Sequence, residues 1–140
     1  MNFRQATLAD VAVLARMNKR LILDEGHRNP MSETQLAQRM AGWLQGEYEA
    51  MIFGLARVDV GYALYQQGAD YLYLRQFWVD EGYRRQGIGR SALHWLKQNS
   101  WQEESRIRIE VLIGNDQAIA FWRSMGFRNY ALTMELNNVD

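Results

Sequence analysis

Residues 79–90 read Val79-Asp80-Glu81-Gly82-Tyr83-Arg84-Arg85-Gln86-Gly87-Ile88-Gly89-Arg90. An apolar, aromatic run from Tyr71 to Val79 ends in this polar turn, and an amphipathic segment from Ser91 to Gln98 follows it. The pattern predicts a strand, a glycine loop and a helix over 89–98. The backbone N–H groups of a helix's first turn lack intrahelical partners, and the helix dipole adds positive potential there. Glycine leaves no Cβ to keep a phosphate away. A phosphate-bearing ligand at the start of this helix is the expectation.

Working outward, Asn2 to Ala6 reads as a short strand. Thr7-x-x-Asp10 resembles a capping box opening a helix to about Leu23, with Val11, Leu14, Met17 and Leu21 at helical spacing. Ser32-x-x-Gln35 opens a second helix to about Leu44. Tyr48 to Leu55 and Val58 to Gln66 read as paired strands joined near Ala56 and Arg57. Gln67 to Asp70 is a turn, and Tyr71 to Val79 is a long strand. Arg106 to Val111 alternates strictly, which predicts a strand. Asn115 caps a helix to about Met125, Gly126 takes the left-handed position after it, and Tyr130 to Leu136 reads as a last strand. The order is βααβββαβαβ. That is a mixed α+β sandwich whose central, mostly antiparallel sheet carries helices on both faces.

At 140 residues the chain has the size of a single domain, 1–140. Formal net charge is zero, which gives no electrostatic support to nucleic-acid or membrane-surface binding. Fourteen Arg stand against two Lys, Lys19 and Lys97. Arginine's planar fork suits phosphate and carboxylate. The absence of cysteine excludes disulfides, thiolate metal sites and a Cys nucleophile. His27 and His94 are too few and too far apart to predict a metal cluster. The N-terminus lacks a signal-peptide core and no run reaches transmembrane length, so a cytoplasmic protein is expected.

Two ordered motifs carry a resemblance. Val79 with Arg84-x-x-Gly87-x-Gly89 resembles the acetyl-CoA signature of the GCN5-related N-acetyltransferases. Val111-Leu112-Ile113-Gly114-Asn115-Asp116-Gln117-Ala118 with Phe121-Trp122 and Gly126-Phe127 resembles that family's second motif. The likeness covers Tyr48 to Leu136 well and rests on element order before Glu47. Gly87-x-Gly89-x-x-Ala92 also fits a dinucleotide fingerprint, with Glu110 near the distance of its acid. Too little chain remains, however, for that sheet and a substrate domain.

The resemblance implies acetyl-CoA as co-substrate. Backbone N–H groups from Arg85 through Gln86, Gly87, Ile88 and Gly89 to Arg90 would take the pyrophosphate, with the Arg84, Arg85 and Arg90 side chains screening its charge. The pantetheine arm would pair with strand backbone at Phe77, Trp78 and Val79, and Asn115 would reach it through its amide. Ala118 and Phe121 lie on the same helix, at spacing that equally describes core. The strands holding Val79 and Val111 splay apart in this family to admit the acyl chain.

The catalytic positions depart from the family. Trp122 stands where a tyrosine commonly protonates the leaving thiolate, and an indole N–H donates but does not titrate usefully. Tyr73 stands where some relatives carry a glutamate. Strand alternation predicts Tyr73, Arg75, Phe77 and Val79 on one face. Glu110 is the nearest strand carboxylate. Asp24 and Glu25, after the first helix, are candidates to hold a cationic amine. The implied activity is acetyl transfer to a primary amine of a small molecule or peptide by direct attack in a ternary complex, with a homodimer as the family tendency. The alternative is a non-catalytic acyl-CoA-binding or regulatory module on the same fold.

Overall fold

The computed structural model describes residues 1–26, 28–103 and 105–138. They form two compact units, Met1–Glu110 and Val111–Asp140, taken in turn.

The first unit is built on a five-stranded sheet in sequence order, β1 (Asn2–Gln5), β2 (Tyr48–Leu55), β3 (Val58–Gln67), β4 (Tyr71–Val79) and β5 (Arg106–Arg108). Neighbours are antiparallel except β4 and β5, which run parallel. β2 turns into β3 through Ala56 and Arg57, both at positive φ, as a two-residue hairpin of the I′ type requires. Both expected capping boxes form. Thr7 pairs reciprocally with Asp10 and opens a 3-10 turn that runs into α1 (Val11–Glu25). Ser32 pairs with Gln35 at the start of α2 (Glu33–Gln45). Leu14 and Met17 of α1 and Met40 of α2 pack with Ala50, Ile52, Tyr62, Leu64 and Trp78 of the sheet. α3 (Ile88–Asn99) serves the opposite face, where Trp95 stacks on Phe3 at 4.2 Å.

Two irregularities decide where side chains point. Leu64 of β3 pairs with Gln76 and Tyr65 pairs with Leu74, so Arg75 is an extra residue in β4. Such a bulge reverses the alternation of faces. Tyr73 therefore shares a face with Gln76, Trp78 and Tyr62, whereas Phe77 and Val79 face the other way. This corrects the expectation that Tyr73, Arg75, Phe77 and Val79 line one face. β5 is also shorter than the expected Arg106 to Val111. Its ladder with β4 runs only from Tyr71↔Arg106 to Tyr73↔Arg108, while β4 continues six residues further.

In the second unit α4 (Asp116–Ser124) is capped at its start by Asn115. It ends in a Schellman motif. Phe127 N–H donates to Trp122 O at 3.0 Å, Gly126 N–H donates to Arg123 O at 3.0 Å, and Gly126 takes φ 97°. The expected strand Tyr130 to Leu136 is absent. Among the described residues its alternating apolar residues Leu132, Met134 and Leu136 are exposed and belong to no strand. Among the described residues, no helix is long and apolar enough to cross a membrane.

Candidate active site

The glycine loop leaves β4 at Val79 through a short turn in which Asp80 accepts from Gly82 N–H at 3.0 Å. Arg85 at φ 65° and Gly87 at φ 77° then reverse the backbone. Gly87 is the N-cap residue of α3 and no side chain caps that helix. A Cβ placed on Gly87 would meet nothing within 4 Å, so the space over the loop is open to a ligand. Residues 84–87 are exposed, Ile88 is buried in the core, and Gly89 lies half-buried in the first turn.

The loop is tied to α1. Arg84 donates to Asp24 Oδ2 at 2.5 Å and to Val79 O at 2.8 Å, and Trp78 Nε1 donates to the same Asp24 oxygen at 2.9 Å. Asp24 is thus engaged by two donors, and the Arg84 guanidinium is engaged as well. The Trp78 side chain is buried in the core, and its carbonyl lies against β3, where a Cβ on Gly61 would stand 2.3 Å from it. Glu25 ends α1 and sits beside Tyr62, whose pKa is raised chiefly by burial and further by that carboxylate.

β4 and β5 part at the level of Tyr73 and Arg108. Beyond that point, among the described residues, no strand pairs with the edge of β4 from Leu74 to Val79. Glu110 follows β5 at this fork, and Tyr73 Oη donates to Glu110 Oε1 in a short 2.5 Å hydrogen bond. Burial and then this bond push the Tyr73 pKa well above the ordinary value. Tyr73 therefore stays protonated near neutral pH, which suits a donor and not a base. Arg75, at the bulge, lies 5.9 Å from the Tyr73 ring.

Asn115, Ala118, Phe121 and Trp122 belong to the second unit. Asn115 Oδ1 accepts from Ala118 N–H at 3.3 Å. Trp122 lies between two rings, with Phe121 at 4.9 Å and Phe127 at 5.1 Å. The Trp122–Phe127 contact is the apolar pair that accompanies a Schellman ending. His27 lies outside the described residues, and no group of His, Asp and Glu able to hold a metal occurs among those described.

Sequence reading brought out Tyr73 and Glu110 separately and missed Arg39, Trp43 and Tyr48. Arg39 and Trp43 lie on α2 and Tyr48 opens β2, all on the Tyr73 side of the sheet. A sign of them was present in Arg39 and Trp43, four apart on one helix face.

The sequence matches the profile of the Acetyltransferase (GNAT) family over residues 16–127. No curated protein matches it. A mutant of the BH1408 protein from Bacillus halodurans is similar, with 25% identity, a TM-score of 0.82 and coverage of 99% of this chain and 100% of that one. A predicted acetyltransferase from Clostridium acetobutylicum, solved with acetyl-CoA, has 18% identity and a TM-score of 0.76 over 97% of this chain and 95% of that one. The aminoglycoside N-acetyltransferase AAC(6')-Iy in complex with CoA has 11% identity and a TM-score of 0.78, covering 98% and 93%.

Proposed function

We propose that this chain, which belongs to the acetyltransferase (GNAT) family, transfers the acetyl group of acetyl-CoA to a primary amine of a small molecule or peptide by direct attack. The observation that carries the reading is the start of α3, uncapped by any side chain at an open glycine, a short turn after a strand that from Leu74 to Val79 has no strand partner on one edge among the described residues. Residues 84–90 offer backbone N–H groups to the pyrophosphate, and Leu74 to Val79 offer a strand edge to the amide-bearing pantetheine arm. Likeness to structures solved with acetyl-CoA and CoA supports this choice of co-substrate.

In the reaction the amine nitrogen attacks the thioester carbonyl carbon, the carbon–sulfur bond breaks, and CoA leaves as thiolate. A thiol pKa of about 8.5 makes that departure feasible without a strong acid. The harder requirement is a neutral amine, since an alkylamine has a pKa near 10.4. In our reading Glu110 receives the amine proton, through water, and Tyr73 holds that carboxylate by its hydroxyl. The bulge at Arg75 leaves strand N–H groups to polarise the thioester oxygen. Asn115, Ala118 and Phe121 are taken as further cofactor contacts, and Trp122 as a wall near the thioester. Residues 1–140 are read as one acetyltransferase domain acting in the cytoplasm.

Acetyl transfer to an amine panel, followed by mass spectrometry of the product, tests the reading. Stoichiometric acetylamine and free thiol are expected. Saturable CoA binding without thiol release would leave a non-catalytic module in its place.

A further inference from the structure

Two guanidinium groups lie against one indole ring on the Tyr73 side of the sheet, and among the described residues neither forms an ion pair. Arg39 of α2 and Arg75 at the bulge of β4 lie with their guanidinium carbons 4.5 Å and 4.8 Å from the centre of the Trp43 ring. Arg75 also stands 5.9 Å from the Tyr48 and Tyr73 rings and donates to Tyr48 Oη at 3.3 Å. Arg4, Arg20 and Arg84 each pair with an aspartate. Among the described residues Arg39 and Arg75 have no such partner.

Arg39 is the more telling of the two. Its Nε is buried with no hydrogen-bond partner, and its Nη2 donates at 3.2 Å to Asn18, a wholly buried residue. Burial, and then the charge of Arg75, lower its pKa. A half-buried cation beside a second cation is costly unless an anion joins them. Among the described residues no carboxylate pairs with either guanidinium.

Resting on the acyl-transfer reading above, we propose that the acceptor carries a carboxylate on the same molecule as its amine, and that Arg39 and Arg75 hold it. The acceptor is then an amino acid in chemical class. The charge pattern of the site is that of such a zwitterion. Tyr73 adjoins Arg75 on one side and holds Glu110 on the other, so a positive locus and a negative locus share one residue. Planar guanidinium groups match a carboxylate by paired N–H···O bonds. The Trp43 and Tyr48 rings give apolar walls to the carbon chain between the two charged ends. A polyamine, in contrast, would place positive charge against two guanidinium groups.

The test compares amino acids with the amines left when their carboxylate is removed, such as 4-aminobutyrate with propylamine and β-alanine with ethylamine. Binding to the whole chain in the presence of CoA is measured by calorimetry, and transfer by thiol release. At least about tenfold tighter binding of the carboxylate members is expected, as for charge-assisted hydrogen bonds. Arg75→Gln, at an exposed position, and Arg39→Gln should each remove most of that preference, and in Arg39→Gln, on α2, CoA affinity should stay unchanged. Equal binding of both members across the panel, or a preference untouched in both variants, overturns the proposal. The two readings separate cleanly. Carboxylate preference without acetyl transfer sinks the enzyme and keeps the anion site; transfer without preference does the reverse.

Discussion

At the scale of the residue, Gly87 is held by its conformation and not by packing. Gly87→Val forces a branched side chain to φ 77° and fills open space. We expect a stability loss of about 1–2 kcal/mol and no measurable CoA binding by calorimetry. Unchanged affinity in the folded variant would remove the loop as the phosphate site. Tyr73 was legible as a candidate from its place in β4, but its partnership with Glu110 was not, because a 37-residue separation closes only in the folded sheet. Tyr73→Phe should lower single-turnover acetyl transfer more than Trp122→Phe does, since the indole has a packing role against Phe127. The reverse ranking would make Trp122 a required donor. Alkaline titration supplies a second check. The raised pKa of Tyr73 adds stability that is whole below pH about 10 and drains as pH climbs beyond it. Tyr73→Phe should therefore flatten the alkaline decline in stability measured by denaturant unfolding.

At the scale of the element, local chemistry wrote the boundaries and long-range pairing wrote the faces. Both capping boxes, the Ala56–Arg57 turn and Gly126 after α4 were legible because each depends on residues within a few positions. The bulge at Arg75 was not legible. Nothing in Tyr71 to Val79 marks an extra residue; it is visible only against the register of β3. The shortened β5 has the same origin, since alternation predicts a strand but a partner makes one. Asn115→Ala should cost about 0.5–2 kcal/mol through loss of the cap. Unfolding and CoA titration of this variant together decide whether the side chain does more, because weakened CoA is expected only if Asn115 also meets the ligand. Gly61 of β3 stands where the neighbouring backbone of β4 leaves no room for a side chain. A Cβ there would lie 2.3 Å from Trp78 O and 2.9 Å from Phe53 Cδ2, so Gly61→Ala should lower stability by about 1–3 kcal/mol or more in denaturant.

At the scale of the whole molecule, α1 is fastened to the glycine loop through Asp24, which gathers Trp78 from the core and Arg84 from the loop. Binding at the loop should therefore be felt in the fold. At a hundredfold excess over Kd, CoA is expected to add about 2.7 kcal/mol and to raise Tm by several degrees. Asp24→Asn should weaken CoA a few fold in calorimetry through the loosened loop; an unaltered affinity would confine Asp24 to stability. The fork between β4 and β5 has a wider consequence. Among the described residues no strand pairs with β4 from Leu74 to Val79, and an edge without a strand partner is one that other chains can add to, the usual route to clumping in sheet proteins. A pantetheine arm laid along that edge, as proposed, would then serve as its shield. The empty protein should scatter light and precipitate on concentration, CoA in the purification buffer should keep it monodisperse, and short extended peptides should compete with CoA for the same row of amides.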